Sequence, residues 1–259
     1  MTASVLRNAW TAPHANDFAA SHLTANATNV ERLPFTIRVV ENESDLRKAV
    51  DVRHAAYARH LPELGATLKN PEAMDYDDDV VVLLAESKLD RTPLGTARIQ
   101  TNRHRPLCVE QSIVLPMQFQ DRRLAEVTRL GVEIGRVGRL VKIALVKASF
   151  MYCEQNNIEF AIAAGRAPID QQYEALLFSD IYPEQGFVPL QHAGNLPHRV
   201  MSFDIGTGYA RWSAAKHPLL GFFSDTLHPD ISVERRWVPA MPHVIPAYRA
   251  PSASAALPR

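Results

Sequence analysis

Glu126-Val127-Thr128-Arg129 puts a carboxylate, a hydroxyl and a guanidinium inside a run that otherwise reads as an interior strand. Gly95-Thr96-Ala97-Arg98 supplies a second guanidinium about thirty residues earlier. A strand sends alternate side chains to opposite faces, so Val127 and Arg129 are expected on one side, Glu126 and Thr128 on the other. Polar groups buried without partners are costly, so a core strand keeps them only where something uses them. Glu126 is the first candidate for a general base, and a guanidinium can grip a carboxylate or steady a developing negative charge. Upstream, Arg53 and the acidic run Glu72-Ala73-Met74-Asp75-Tyr76-Asp77-Asp78-Asp79 offer further groups of the same kinds. The same residues could instead form an ion-pair network that fixes the acidic loop over the sheet, although desolvation often cancels the benefit of such networks.

The chain must build elements that hold these groups. At 259 residues, 46% hydrophobic and 22% charged, it has the size and composition of one sizeable globular domain with extensions. Lys+Arg and Asp+Glu are both 28, so no global field favours nucleic acid or an anionic membrane as partner. No apolar stretch is long enough to span a bilayer and no signal-peptide pattern opens the chain, which suggests a cytoplasmic protein. Cys108 and Cys153 form no CxxC pair and are expected as free, buried thiols. Residues 1–33, rich in Ala, Thr, Asn and Ser, are expected as a flexible lead-in. The domain is placed at 34–238 and a mobile, Pro/Ala/Ser-rich tail at 239–259.

Within the domain, Phe35 to Val40 alternates as a first strand, and Glu43-Ser44-Asp45 opens a helix on which Leu46, Val50, Arg53 and Tyr57 share a face. Pro62, Gly65 and the acidic run read as a loop. Val80–Glu86 and Leu94–Gln100 read as paired strands, followed by a loop and the strand carrying Glu126 to Val132. Arg136 to about Gln155 is the best helix, with Val137, Val141, Ala144, Leu145, Ala148 and Tyr152 on its buried face and Asn156-Asn157 at its end. A strand at Ile158–Ala164, a helix at Ile169–Phe178, a strand after Gly186 and another at Arg199–Ile205 complete an α/β (α+β) domain with mainly antiparallel early strands.

This order of parts, ending in Ile181-Tyr182-Pro183-Glu184-Gln185-Gly186-Phe187, resembles the GNAT acyltransferase fold. Within that superfamily the polar residues resemble those of acyl-homoserine-lactone autoinducer synthases and the related N-acyl amino acid synthases. The matching residues are Arg53 with Tyr57, the acidic loop, Gly95 to Arg98, and Glu126 to Arg129, spread over residues 36 to 190. Where the autoinducer synthases carry a Trp after the first-helix aromatic, this chain has Leu61-Pro62-Glu63. That departure favours the N-acyl amino acid synthase branch, in which an amine of an amino acid accepts a fatty acyl group. The resemblance then implies Glu126 and Asp75 as catalytic residues. It implies Arg53, Arg98, Thr128, Arg129, Asp77 and Asp78 in substrate binding, with the choice among the acidic-loop residues left open.

The phosphate-cradling loop of acetyl-CoA-dependent GNATs is met here by Arg136-Val137-Gly138-Arg139, with a single glycine near the expected place. An acyl carrier protein thioester is therefore expected as donor substrate in preference to coenzyme A. No bound cofactor is expected. Arg136, Arg139, Lys142 and Lys147 read as a basic side of the long helix, the first three as candidates for carrier docking or as a solvated face. The tract Lys216 to Ile231 is expected to pack a C-terminal helix onto the sheet, with an acyl tunnel as the other reading. No GxSxG, GxxxxGK[ST] or HExxH occurs, and the ten histidines show no ligand spacing, so no metal site is expected.

Overall fold

A computed structural model describes residues 29–234. The expected tail at 239–259 lies outside the described residues, as does the lead-in up to residue 28. From there the chain is already placed: β1 (Asn29–Val30) pairs in parallel with β10 (Thr226–Leu227), and Leu33 is buried.

Between those ends the order is β2 (Phe35–Val39), α1 (Glu43–Ala58), α2 (Pro62–Thr67), β3 (Val80–Ser87), β4 (Pro93–Thr101), β5 (Leu124–Val132) and α3 (Arg136–Gln155). There follow β6 (Phe160–Gly165), α4 (Ile169–Ala175), β7 (Ser179–Asp180), β8 (Val188–Leu190), β9 (Leu196–Asp204) and α5 (Gly208–Ala214). The main sheet runs β2-β3-β4-β5-β6-β9-β7, with β8 added on β9. Every pairing in it is antiparallel except β5 with β6.

The sequence patterns explain most of these elements. In β2, Phe35, Ile37 and Val39 are buried while Thr36 and Arg38 are half-buried, the alternation of a strand with one covered face. Asn42 caps α1 by accepting the Asp45 amide, and the buried stripe Leu46, Ala49, Val50, Val52 carries Arg53 with it. Pro62–Thr67 is a short helix, contrary to the loop expected there; Pro62 stands in its first turn, where a missing N–H costs nothing. The main core lies between the sheet and α3, and Trp212 of α5 stacks on Phe223 at 4.8 Å within it. The tract 216–231 thus packs the C-terminal segment onto this core, through a π-helical turn at Gly221–Asp225.

Two expectations for α3 are corrected. Val137, in the first turn of α3, is 48% exposed and not part of its buried face. Lys147 belongs to no basic face: it is fully buried and donates to the carbonyls of Phe222 and Thr226 at 2.7 and 2.6 Å and sits 2.9 Å from His228 Nδ1. Burial lowers its amine to about 8.

Two irregularities in β5 position the rest. First, Gly95 and Thr96 pair with Val132 and Gly131, but Arg98 pairs with Thr128, so Ala97 faces both Arg129 and Leu130. This is a β-bulge, and Arg129 carries the extra turn at φ 55°. Second, β5 and β6 pair only from Leu124↔Phe160 to Val127↔Ala163, although β5 runs on to Val132 and β6 to Gly165. The sheet splits there.

Candidate active site

The bulge corrects the expected facing of the strand. Thr128 and Arg98 are cross-strand partners, and Arg98 Nε donates to Thr128 Oγ1 at 3.2 Å. Arg129 reaches the same cluster rather than joining Val127, because the left-handed turn rotates its side chain to the face that carries Thr128. Val127 and Leu130 pack instead against the core under α3.

The arginines meet the acidic loop at a 3-10 turn, Ala73–Tyr76, whose N-terminal end carries the carboxylates of Glu72 and Asp75. Asp75 accepts both terminal nitrogens of Arg53, at 2.8 and 2.9 Å, and the Glu72 amide at 2.8 Å. Glu72 accepts Arg129 Nε and Nη2 at 2.8 and 2.7 Å, Arg98 Nη1 at 2.9 Å and Arg53 Nη1 at 3.3 Å. Glu72 is therefore the hub of the cluster, a role sequence reading did not assign. Its three-residue spacing from Asp75 was the available signal, since residues three apart share one side of a helical turn. Burial alone would raise the Glu72 carboxyl, but the Arg129 hydrogen bond and the charges of Arg98, Arg129 and Arg53 hold it at about 2. Three guanidiniums face two carboxylates, leaving one positive charge over.

Asp77 and Asp78 are not brought to this cluster. Asp77 turns to Arg105 at 2.5 Å and accepts the Asp79 amide, while Asp78 stands exposed before β3.

Glu126 lies on the cluster's face, two residue pairs along at Gln100↔Glu126, and is fully buried. Its Oε2 accepts the Val109 amide at 2.9 Å, from the 3-10 turn at Cys108–Gln111 that covers it. Its Oε1 makes no hydrogen bond and lies 3.4 Å from Nε2 of His192, on the turn Gln191–Ala193. Burial pushes the Glu126 carboxyl up to about 7, against the pull of the Val109 amide and of Arg98 and Arg129. His192 was missed by sequence reading, for it carries no local spacing to the other groups. Cys108, also beside Glu126, is a free thiol pushed up to about 11 by burial, and Cys153 is likewise free and buried.

On the other face of the split lies an apolar pocket lined by Val127 and Leu130 of β5, Ala161 and Ala163 of β6, Val146 of α3 and Tyr173 of α4, among others. Val127 belongs to its wall while Glu126 and Thr128, on either side in sequence, face the polar cluster. At the opening of α3, Arg136 and Arg139 are exposed, whereas Lys142 is half-buried and donates to Gln172 of α4 at 2.5 Å. Gly138 lies so close to the Glu133 carbonyl that a Cβ would stand 1.7 Å from it. Among the described residues no group of three or more His, Cys, Asp or Glu could hold a metal ion, and no helix is long and apolar enough to cross a membrane.

No family model matches the sequence, and no curated protein matches it. Solved structures do. FeeM, an N-acyl amino acid synthase from uncultured soil microbes, superposes with a TM-score of 0.54 at 12% identity, over 73% of this chain and 96% of its own. The chain has a GNAT-like fold. BjaI, a CoA-dependent acyl-homoserine lactone synthase solved with SAM and isopentyl-CoA, aligns with a TM-score of 0.48 at 16% identity, over 78% of this chain and 94% of its own. FdhC, a nucleotide-linked sugar GNAT, aligns with a TM-score of 0.44 at 10% identity, over 74% and 98%.

Proposed function

We propose that this protein is an N-acyltransferase that joins a fatty acyl group, delivered as an acyl carrier protein thioester, to the amine of an amino acid. The observation that carries this reading is the split between β5 and β6: an apolar pocket lies on one face and a charged cluster on the other. A thioester carbonyl set in that gap would direct its chain toward the pocket, whose apolar walls must part to admit it, and present its carbon to the polar side. Likeness of fold to an N-acyl amino acid synthase agrees with it.

The residues take roles from their geometry. Glu126, whose carboxyl titrates near 7, accepts the proton that the amine must lose, directly or through an intermediary. The positive charge left over by Arg53, Arg98 and Arg129 against Glu72 and Asp75 suits the acceptor's carboxylate. Asp75 holds Arg53 and Arg98 in register, and Thr128 orients Arg98. Exposed Arg136 and Arg139, with Lys142 behind them, suit an acidic carrier protein better than a nucleotide cradle. The donor is a substrate, and no resident cofactor is assigned. Two free, buried thiols fit a cytoplasmic setting.

Mass spectrometry of lipid extracts from cells expressing the wild type and Glu126→Gln tests this. New N-acyl amino acids are expected from the wild type, reduced on the order of 100-fold in the variant. Acyl-homoserine lactones with release of methylthioadenosine would indicate S-adenosylmethionine as acceptor instead. No new acylated amine in either extract would refute the proposal.

A further inference from the structure

We infer that His192 carries the proton between the attacking amine and Glu126, so that the base works as a carboxylate–imidazole pair. This rests on the acyltransfer reading above and deepens it. Glu126 is 0% exposed, and one of its oxygens is already taken by the Val109 amide. The other faces His192 Nε2 at 3.4 Å. A proton leaving the Nε2 of that ring therefore has the unbonded Glu126 oxygen 3.4 Å away to receive it.

The imidazole is held for that task. Its turn is fixed by Arg129 Nη2, which donates to the His192 carbonyl at 3.1 Å, and by Ser112 Oγ, which accepts the Gln191 amide at 2.9 Å. A carboxylate gripped by Arg129 would thus bring its α-amine beside this ring. Glu126 Oε1 and His192 Nδ1 are both buried without a hydrogen-bond partner. Buried polar atoms are nearly always paired; Oε1 has the ring Nε2 to close on, and the orphan Nδ1 points to a partner that arrives with the substrate. Apo hydrogen bonds at catalytic sites are often long in this way. Burial chiefly, then Arg129, His198 and Arg98, disfavour the imidazolium, while the Cys108 backbone favours it and Glu126 lies 3.4 Å from Nε2. The balance puts the imidazole at about 4, so it rests neutral and able to accept.

As the amine nitrogen bonds to the thioester carbon, its proton passes to His192 Nδ1 and the Nε2 proton passes to Glu126. The carbon–sulfur bond then breaks, the proton returns by the same path to the leaving sulfur, and amide and free thiol depart with both side chains restored.

Nitrogen-15 histidine spectra of the wild type at neutral pH provide the first test, and need no substrate. A bare Nδ1 with a protonated Nε2 is expected; the opposite tautomer would overturn the relay. Rates of amide formation provide the second. His192→Ala is expected to lose on the order of 100-fold, with free imidazole restoring part of it, and His192→Asn to lose as much without altering the urea midpoint. A His192→Ala rate within about threefold of the wild type, while Glu126→Gln is impaired, would overturn the relay alone. No amide from the wild type would instead overturn the acyltransfer reading.

Discussion

Replacing Glu72 with Gln removes the one carboxylate that touches all three arginines, and the structure gives the size and the pH dependence of the loss. The Glu72 carboxyl lies at about 2 in the folded protein against an ordinary 4.5. At 1.36 kcal/mol per tenfold change in proton affinity, that gap corresponds to about 3 kcal/mol of stability near neutral pH. The sign follows from the depressed value. The contribution is complete above the unfolded value of about 4.5 and is lost as pH falls toward the folded value of about 2. Midway, at pH 3, the folded carboxyl is still ionised while the unfolded one is protonated, leaving about 1.4 kcal/mol. Urea unfolding of wild type and Glu72→Gln at pH 7, 4 and 3 is the assay. The difference between them should shrink by roughly half across that range. A difference that stays constant from pH 7 to pH 3 would refute the claim that ionised Glu72 holds the cluster together, and would point to packing of the turn instead.

Val146→Phe projects a ring into the apolar pocket from α3, at a half-buried position packed against the core. Product analysis should show shorter acyl groups, at an overpacking cost of about 1–3 kcal/mol in urea unfolding; an unaltered chain-length profile would place the acyl group elsewhere. Gly138→Ala sets a Cβ 1.7 Å from the Glu133 carbonyl, a backbone atom that cannot swing aside. It should cost about 1–3 kcal/mol or more by overpacking and weaken donor use more than amino acid use in steady-state kinetics. An equal effect on both substrates would separate this turn from donor docking.

Much of the frame was legible because its patterns are long and regular. The helix Arg136–Gln155 has the bounds its periodicity implies, ended by Asn156-Asn157, and Asn157 adopts φ 54° there. The paired strands β3 and β4 and the polar strand β5 follow from β-branched runs of ordinary length. What escaped lacks such a signal. Pro62 and Gly65 read as loop punctuation, yet the proline opens α2 and the glycine lets it pack against α1 where an added Cβ would stand 2.6 Å from the Ala58 Cα. Glu72 and Asp77 could not be ranked by spacing alone, because the direction of a 3-10 turn decides which carboxylates face the arginines. His192 and Arg129 are 63 positions apart and meet only through tertiary folding.

The failure of simple alternation at Arg129 is the most instructive, since it falls at the site itself. A regular strand would have put Arg129 beside Val127, in the wall of the apolar pocket, where a guanidinium finds no carboxylate and burial is prohibitive. The left-handed turn at Arg129 costs on the order of 1–2 kcal/mol for a side chain with a Cβ. Its bidentate bond to Glu72, at 2.8 and 2.7 Å, offsets that cost. The same turn keeps Val127 and Leu130 on the apolar side. One strained residue thus sorts the two faces of β5, one apolar and one charged, and the split beside it is where they meet.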